Sequence, residues 1–184
     1  MISSGSREAC ARCDISERLS DSLRLRLTSA QRQRLGRPET TSPRAYELYL
    51  KGRYAWNQRT LEGVQEGLRL FQQAAVDDPA FARAYAGIAD SCFILGPMGR
   101  GVLSREEAYA RHRAAALRAV ELDPTLAEPW ASLGLLKQTY DWDWDEAGRA
   151  FERAIELNPG YPTGHSWYGA YLIARRTFER RLGE

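Results

Sequence analysis

The 184-residue sequence is poor in the side chains that most often carry chemistry: it has two histidines, three cysteines and, among 26 cationic residues, only the lysines Lys51 and Lys137. Cys10, Cys13 and Cys92 are too few and too unevenly placed to build a disulfide framework in a chain this long, and they fit a reducing compartment. No stretch of 18 apolar residues exists, and the first 30 residues lack the apolar core of a secretory signal, so the expected compartment is the cytoplasm. The formal net charge of +2 is too small to announce a partner made of phosphates. No glycine-rich phosphate loop is present, and neither His112 nor His165 belongs to a recognisable catalytic arrangement with a sequence-level partner, so no enzyme is expected.

What the sequence does have is 43% hydrophobic residues, enough for one sizeable core, and an internal repeat. The blocks QQAAVDDPAFARAYAGIAD, LRAVELDPTLAEPWASLGL and ERAIELNPGYPTGHSWYGA align on Pro79, Pro124 and Pro159. Five residues before each proline stands a small side chain (Ala74, Ala119, Ala154), and two after it a large apolar one (Phe81, Leu126, Tyr161). Six after it comes a ring (Tyr85, Trp130, His165), followed by the apolar and small pairs Ile88 with Ala89, Leu133 with Gly134, and Tyr168 with Gly169. Proline forces the residue before it out of the helical region and donates no N–H. Each block therefore predicts a helix that ends near the proline, a tight turn, and a new helix just beyond. One such hairpin cannot bury both its faces, so the hairpins must stack.

In these features the chain resembles the tetratricopeptide repeat family, whose pattern is W-x2-L-G on one helix and A-x3-F-x2-A-x4-P on the next. Trp130, Leu133 and Gly134, then Ala147, Phe151, Ala154 and Pro159, carry the resemblance most completely. The proline spacings are 45 and 35 residues where the family has 34, which implies a long loop near Gly96 to Leu103 and one extra residue near Trp142. DISERLSDSLRLRLT, AYELYLKGRYAWNQRT and YDWDWDEA are similar to a bacterial subgroup in which such repeats follow a TolB-like segment in adenylate-cyclase-like, kinase-like or winged-helix regulators. That similarity spans about residues 14–176, and none of the catalytic or DNA-binding motifs of those proteins is in this chain.

Helix boundaries are also legible. Ser42 before Pro43 marks a helix start, and Leu61, Val64, Leu68, Phe71 and Ala75 form the apolar face of a helix. Ser104 with Glu107, and Asp143 with Glu146, are spaced as capping boxes. Ile15, Leu19, Leu23 and Leu27 predict an earlier amphipathic helix, continued by a short helical stretch to Leu35 and stopped at Gly36 and Pro38. The expected organisation is a tail over 1–13, an N-terminal helical segment over 14–41, a repeat array over 42–176, and the truncated start of a further helix over 177–184.

Two metal motifs are incomplete. Cys10 and Cys13 form one C-x2-C without the second ligand pair that zinc requires. Asp141, Asp143, Asp145 and Glu152 mimic a calcium loop, yet its glycine position is Glu146 and the repeat requires residues 145–157 to be helical. No metal and no cofactor is expected. Asp143 is read instead as a helix cap, with Trp142 or Trp144 wedged between hairpins.

The working surface of such an array is the concave face formed by the first helix of each hairpin. The groove-facing positions that the resemblance implies are Arg83, Ala86, Asp90, Phe93 and Ile94 in the second unit. They are Glu128, Ala131, Leu135, Gln138 and Thr139 in the third, and Thr163, Ser166 and Ala170 in the last. Family members that grip a peptide carboxylate use Asn at a position that here reads Asp90, Leu135 and Ala170, so that clamp is absent. The groove reads as mostly small or apolar, suited to a helix or an extended apolar segment. The expectation is an all-α, right-handed solenoid of three hairpins and a terminal half repeat that binds or scaffolds a protein or peptide without catalysis. Its own residues 14–27 are a candidate occupant of the groove, neither nucleic acid nor membrane is expected as a partner, and the last helix is a candidate surface for homodimerisation. The competing expectation is a regulatory or linker piece of a larger bacterial signalling enzyme or transcription regulator, with no ligand of its own.

Overall fold

The structure is a computed structural model, and it describes residues 39–97 and 101–182. The expectations for the tail, for the helix over Ile15 to Leu27 with its extension to Leu35, and for Cys10 and Cys13 lie outside the described residues. The array lies in the compact unit Arg44–Glu184.

Seven α-helices and no strand make up the described residues: α1 (Pro43–Asn57), α2 (Leu61–Asp77), α3 (Ala82–Leu95), α4 (Arg105–Leu122), α5 (Ala127–Leu136), α6 (Trp144–Leu157) and α7 (Pro162–Leu182). They form the expected three hairpins, α1/α2, α3/α4 and α5/α6, followed by a terminal helix. Each repeat proline stands two residues beyond the end of a helix and three before the next begins. The turn is closed in the same way each time. The N–H of Asp78, Asp123 or Asn158 donates to the carbonyl of Ala74, Ala119 or Ala154, and the side chain of the same Asp or Asn accepts an N–H two residues on.

The helix starts follow local chemistry. Ser104 and Asp143 accept the N–H of Glu107 and Glu146 at 3.2 and 3.0 Å, as the capping spacing predicts. Thr60 caps α2 in the same way, accepting from Gly63 N at 3.0 Å. The extra residue near Trp142 is taken up by a widened turn. Lys137–Asp141 is π-helical, Trp142 adopts φ 57°, and Asp143 N closes the turn on the Lys137 carbonyl.

Packing follows the small residues. Ala74, Ala119 and Ala154 are fully buried. Gly52 and Gly134 lie directly under the Phe71 and Phe151 rings of their own hairpins. In the second hairpin Ala89 and Ala116 replace that glycine and phenylalanine pair. α1 packs on α2 through Gly52 and Phe71, the helices from α2 onward pack in order, and α3 also touches α5, as α5 touches α7, so these three form an inner layer.

One expectation needs correction. The further helix over 177–184 is not separate: α7 continues unbroken from Pro162 to Leu182, because no proline or glycine interrupts the sequence from Ala170 to Leu182 and the Phe178 ring stacks on Trp144 at 5.7 Å. Of the alternatives Trp142 or Trp144 for the packed tryptophan, it is Trp144 that packs against Tyr171 and Phe178, while Trp142, at φ 57°, is 63% exposed.

Candidate functional site

The groove positions come from α3, α5, α7 and the segment that follows α5, and the structure sorts them into two groups. Ala86, Asp90, Ala131 and Leu135 are buried. Arg83, Phe93, Ile94, Glu128, Gln138, Thr139 and Thr163 are half-buried, and Ser166 and Ala170 are exposed. The floor around Leu135 is filled by the protein itself. Phe93 and Trp167 meet edge to face at 6.1 Å and pack into the same cluster as Leu135, while Tyr161 and Trp167 pack against Ala131. The Thr139 hydroxyl is turned to its own helix, donating to the Leu135 carbonyl at 2.6 Å.

The charged groove positions are brought into pairs. Arg83 Nη1 stands 3.3 Å from Glu128 Oε1, joining α3 to α5, and Arg53 Nη1 stands 3.7 Å from Asp90 Oδ2, joining α1 to α3. Asp90 is fully buried, and its oxygens make no well-formed hydrogen bond, the Ser132 hydroxyl being the side-chain donor beside them. Burial pushes its carboxyl up to about 7; Arg53 and the neighbouring Ser132 act against that shift, Glu128 adds to it, and Arg59 opposes it more weakly. The Tyr161 hydroxyl is buried within electrostatic reach of Asp90 and beside Thr163, with no well-formed hydrogen bond. The sequence reading named Asp90, Arg83 and Glu128 but started its count in the second unit, and so missed Tyr49, Arg53 and Trp56.

A signal for them exists. Gly67, Phe71, Ala74 and Pro79 repeat the small-x3-F-x2-A-x4-P spacing of Ala147 to Pro159, which makes Gly52 the counterpart of Ala89, Gly134 and Gly169. The next residue in each unit is then Arg53, Asp90, Leu135 and Ala170. Trp56, fully buried one turn on from Arg53, has the Arg53 and Arg59 guanidinium carbons at 4.7 and 3.8 Å from its ring centroid.

The two histidines have structural roles. His112 is fully buried, with Nε2 2.9 Å from the Ser132 carbonyl and 3.2 Å from its hydroxyl, and burial brings its pKa down to about 4. His165 takes the place of Trp130: Trp130 Nε1 donates to the Pro124 carbonyl at 2.9 Å, and His165 Nε2 meets the Pro159 carbonyl at 2.7 Å. The acids of the calcium-like stretch are dispersed. Asp141 pairs with Lys137, Asp143 caps α6, and Asp145 pairs with Arg175. Among the described residues no group of three or more His, Cys, Asp or Glu could hold a metal ion, and no helix is long and apolar enough to cross a membrane. A shallow cleft of about 340 Å³ between α6 and α7, lined by Gly148, Glu152, Tyr168, Tyr171 and Leu172 among others, contains none of the groove positions.

This geometry defines an all-helical hairpin solenoid whose inner layer is bridged by charged pairs. Its fold is that of tetratricopeptide repeat domains. The Sgt2 repeat domain of Aspergillus fumigatus superposes with a TM-score of 0.56 at 19% identity, covering 78% of this chain and 87% of that one. The first repeat domain of Spaghetti (RPAP3), bound to the HSP90 peptide SRMEEVD, gives 0.54 at 18% identity, covering 73% and 98%. The MamA protein gives 0.51 at 15% identity, covering 97% and 87%. No protein-family profile matches the chain. The transcriptional regulator HilA of Salmonella typhimurium, like that of Salmonella typhi, is 24% identical over 135 residues. Those residues are 73% of this chain, which spans about a quarter of the length of these curated relatives.

Proposed function

We propose that the chain is a non-catalytic module that binds or scaffolds a protein or peptide on the concave face of its array. The observation that carries this reading is the inner layer of α3, α5 and α7 in the fold of repeat domains, one of which, that of RPAP3, is bound to a chaperone peptide. The partner here is not gripped by an Asn-based carboxylate clamp, since Arg53, Asp90, Leu135 and Ala170 occupy the corresponding places. Contact is made instead at the open end of the groove, through Gln138, Thr163, Ser166 and Ala170, with Arg83 and Glu128 at its rim.

The test is affinity capture from lysate with the wild-type chain and with a Ser166→Arg, Ala170→Arg variant shown by circular dichroism to be folded. Leu135→Arg is unsuited to this purpose, because Leu135 is packed under Phe93 and Trp167. A protein held by the first and lost by the second supports the groove. Equal capture by both, or capture by neither, sinks it.

A second reading is favoured by the HilA relationship: the chain is the repeat segment of a larger regulator, serving as a spacer or regulatory element with no ligand of its own. Wild type and variant both capturing nothing is the result this reading expects. The exposed Leu172, Ile173 and Phe178 on α7 are the surface through which two copies would associate. A molecular mass in light scattering that does not change with concentration would exclude that association.

A further inference from the structure

Asp90 is a buried carboxyl in the middle of the array. It is fully buried, its oxygens make no well-formed hydrogen bond although the Ser132 hydroxyl lies close enough to favour its charge, and the cation paired with it, Arg53, is 3.7 Å away, beyond hydrogen-bond range. A buried carboxylate left in this condition opposes folding and is not explained by packing. Its surroundings are assembled from every hairpin. From α1 come Arg53 and, beyond it, Tyr49; the turn after α1 brings Arg59. α5 contributes Glu128 and Ser132, the latter already engaged by His112 of α4, and the turn before α7 contributes Tyr161. Arg83, on the same helix as Asp90, is held by Glu128. Only Arg53 and Arg59 bring positive charge toward the carboxylate, and Arg59 is also drawn over the Trp56 ring. The cluster therefore sits on the seam where α1 closes on α3, and its carboxylate, paired with Arg53 only at 3.7 Å, is a group that water would stabilise.

We propose that Asp90 is a proton-operated lock on this seam: protonated, it lets α1 close over α3; ionised, it favours a state in which the seam opens and Tyr49, Arg53 and Ala86 reach the groove surface. The direction follows from linkage. Asp90 binds its proton more tightly in the closed form, where it is buried, than in an open form, where it meets water. Raising the pH from the ordinary carboxylate range toward neutrality therefore increases opening, and the effect levels off once Asp90 is ionised in the closed form as well. The His112 imidazole has the opposite sign, since burial lowers its pKa, and it faces α5, so its titration favours opening of the α4 and α5 contact at low pH. That the opened face receives a partner rests on the binding function proposed above; the lock itself does not.

The experiment is amide hydrogen exchange on the full chain without partner, at pH 5 and pH 7.5, corrected for the intrinsic pH dependence of exchange. In the wild type, amides of α1 and α3 exchange faster at pH 7.5, by up to about tenfold for each pH unit of the interval below neutrality. α6 shows no such rise. Asp90→Asn, which keeps the shape and cannot ionise, removes the pH dependence. Arg53→Gln keeps it and increases exchange at pH 7.5. Exchange in α1 and α3 that is independent of pH, or a slope that persists in Asp90→Asn, overturns the lock. Should Asp90→Asn fail to fold, the wild type still decides: a slope confined to α1 and α3 supports the lock, and one shared equally with α6 refutes it. Because no partner is present, failure here leaves the capture experiment unaffected, and failure of capture leaves this result unaffected.

Discussion

A Cβ on Gly52 would stand 2.6 Å from the Phe71 ring, and one on Gly87 would stand 2.7 Å from the same ring. Phe71 is fully buried between α1 and α3, so it cannot swing away from one glycine without meeting the other. The first two hairpins are thus fixed to each other through one ring held by two missing side chains. Gly52→Ala gains about 1 kcal/mol of helix propensity but overpacks the site by about 1–3 kcal/mol. The expected net loss is about 1 kcal/mol, read as a lower midpoint in urea unfolding. Gly169→Ala is the control: nothing lies within 4 Å of its added methyl, so the propensity gain of about 0.5–1 kcal/mol is retained. Equal effects of the two substitutions would show that packing on Phe71 does not decide the matter.

Asp90 and His112 both neighbour Ser132 and act on stability with opposite signs. The Asp90 carboxyl is raised to about 7 in the folded state, so its contribution is full below the ordinary carboxylate range and is lost as pH rises toward 7. His112 is lowered to about 4, so its contribution is full above the ordinary imidazole value and is lost as pH falls toward 4. The two slopes offset each other in the wild type. Asp90→Asn therefore exposes the His112 slope, with stability rising between pH 4.5 and 7 by roughly 1–3 kcal/mol, and His112→Gln exposes the reverse slope. Chemical denaturation across that range measures both. Parallel profiles for the two variants would contradict the assignment.

The hairpins were legible because they rest on local rules. Pro79, Pro124 and Pro159 stop helices wherever they occur, and Ala74, Ala119 and Ala154 mark crossings that only a small side chain allows. The charged seam was not, for two reasons. The first hairpin lacks the tryptophan and leucine of the repeat signature, so nothing in α1 sets the register until Gly52 is seen beneath Phe71. The burial of Asp90 is also a property of three hairpins stacked together, whereas an aspartate in a half-apolar helix ordinarily reads as solvated. The same stacking buried Leu135, a position that sequence counting had assigned to an open groove.

Trp142 carries φ 57° in the turn that absorbs the third unit's extra residue, and its side chain is largely exposed. A large side chain in the left-handed region costs about 1 kcal/mol, whereas glycine adopts it freely. Trp142→Gly is therefore expected to raise stability by about 0.5–1 kcal/mol, seen as a rise of a few degrees in the thermal midpoint. A fall in the midpoint would mean that the indole makes contacts worth more than the backbone strain it imposes.

The last turns of α7 depend on a single stack. Phe178 lies parallel to Trp144 at 5.7 Å with 12° between the rings, and Trp144 is held in turn by Tyr171, whose hydroxyl donates to the Trp144 carbonyl at 2.8 Å. The Arg175 guanidinium ties the preceding turn to Asp145, Glu179 and the Tyr171 hydroxyl, but those contacts are exposed and weak individually. Phe178→Ala removes the stack, worth about 0.5–1.5 kcal/mol beyond the area it buries, from a helix end that has no other aromatic anchor among the described residues. The expected result is faster amide exchange over residues 176–182 with α1 to α6 unchanged and little movement of the global midpoint. If exchange rises throughout the array instead, α7 is cooperative with the hairpins and its far end is part of the core.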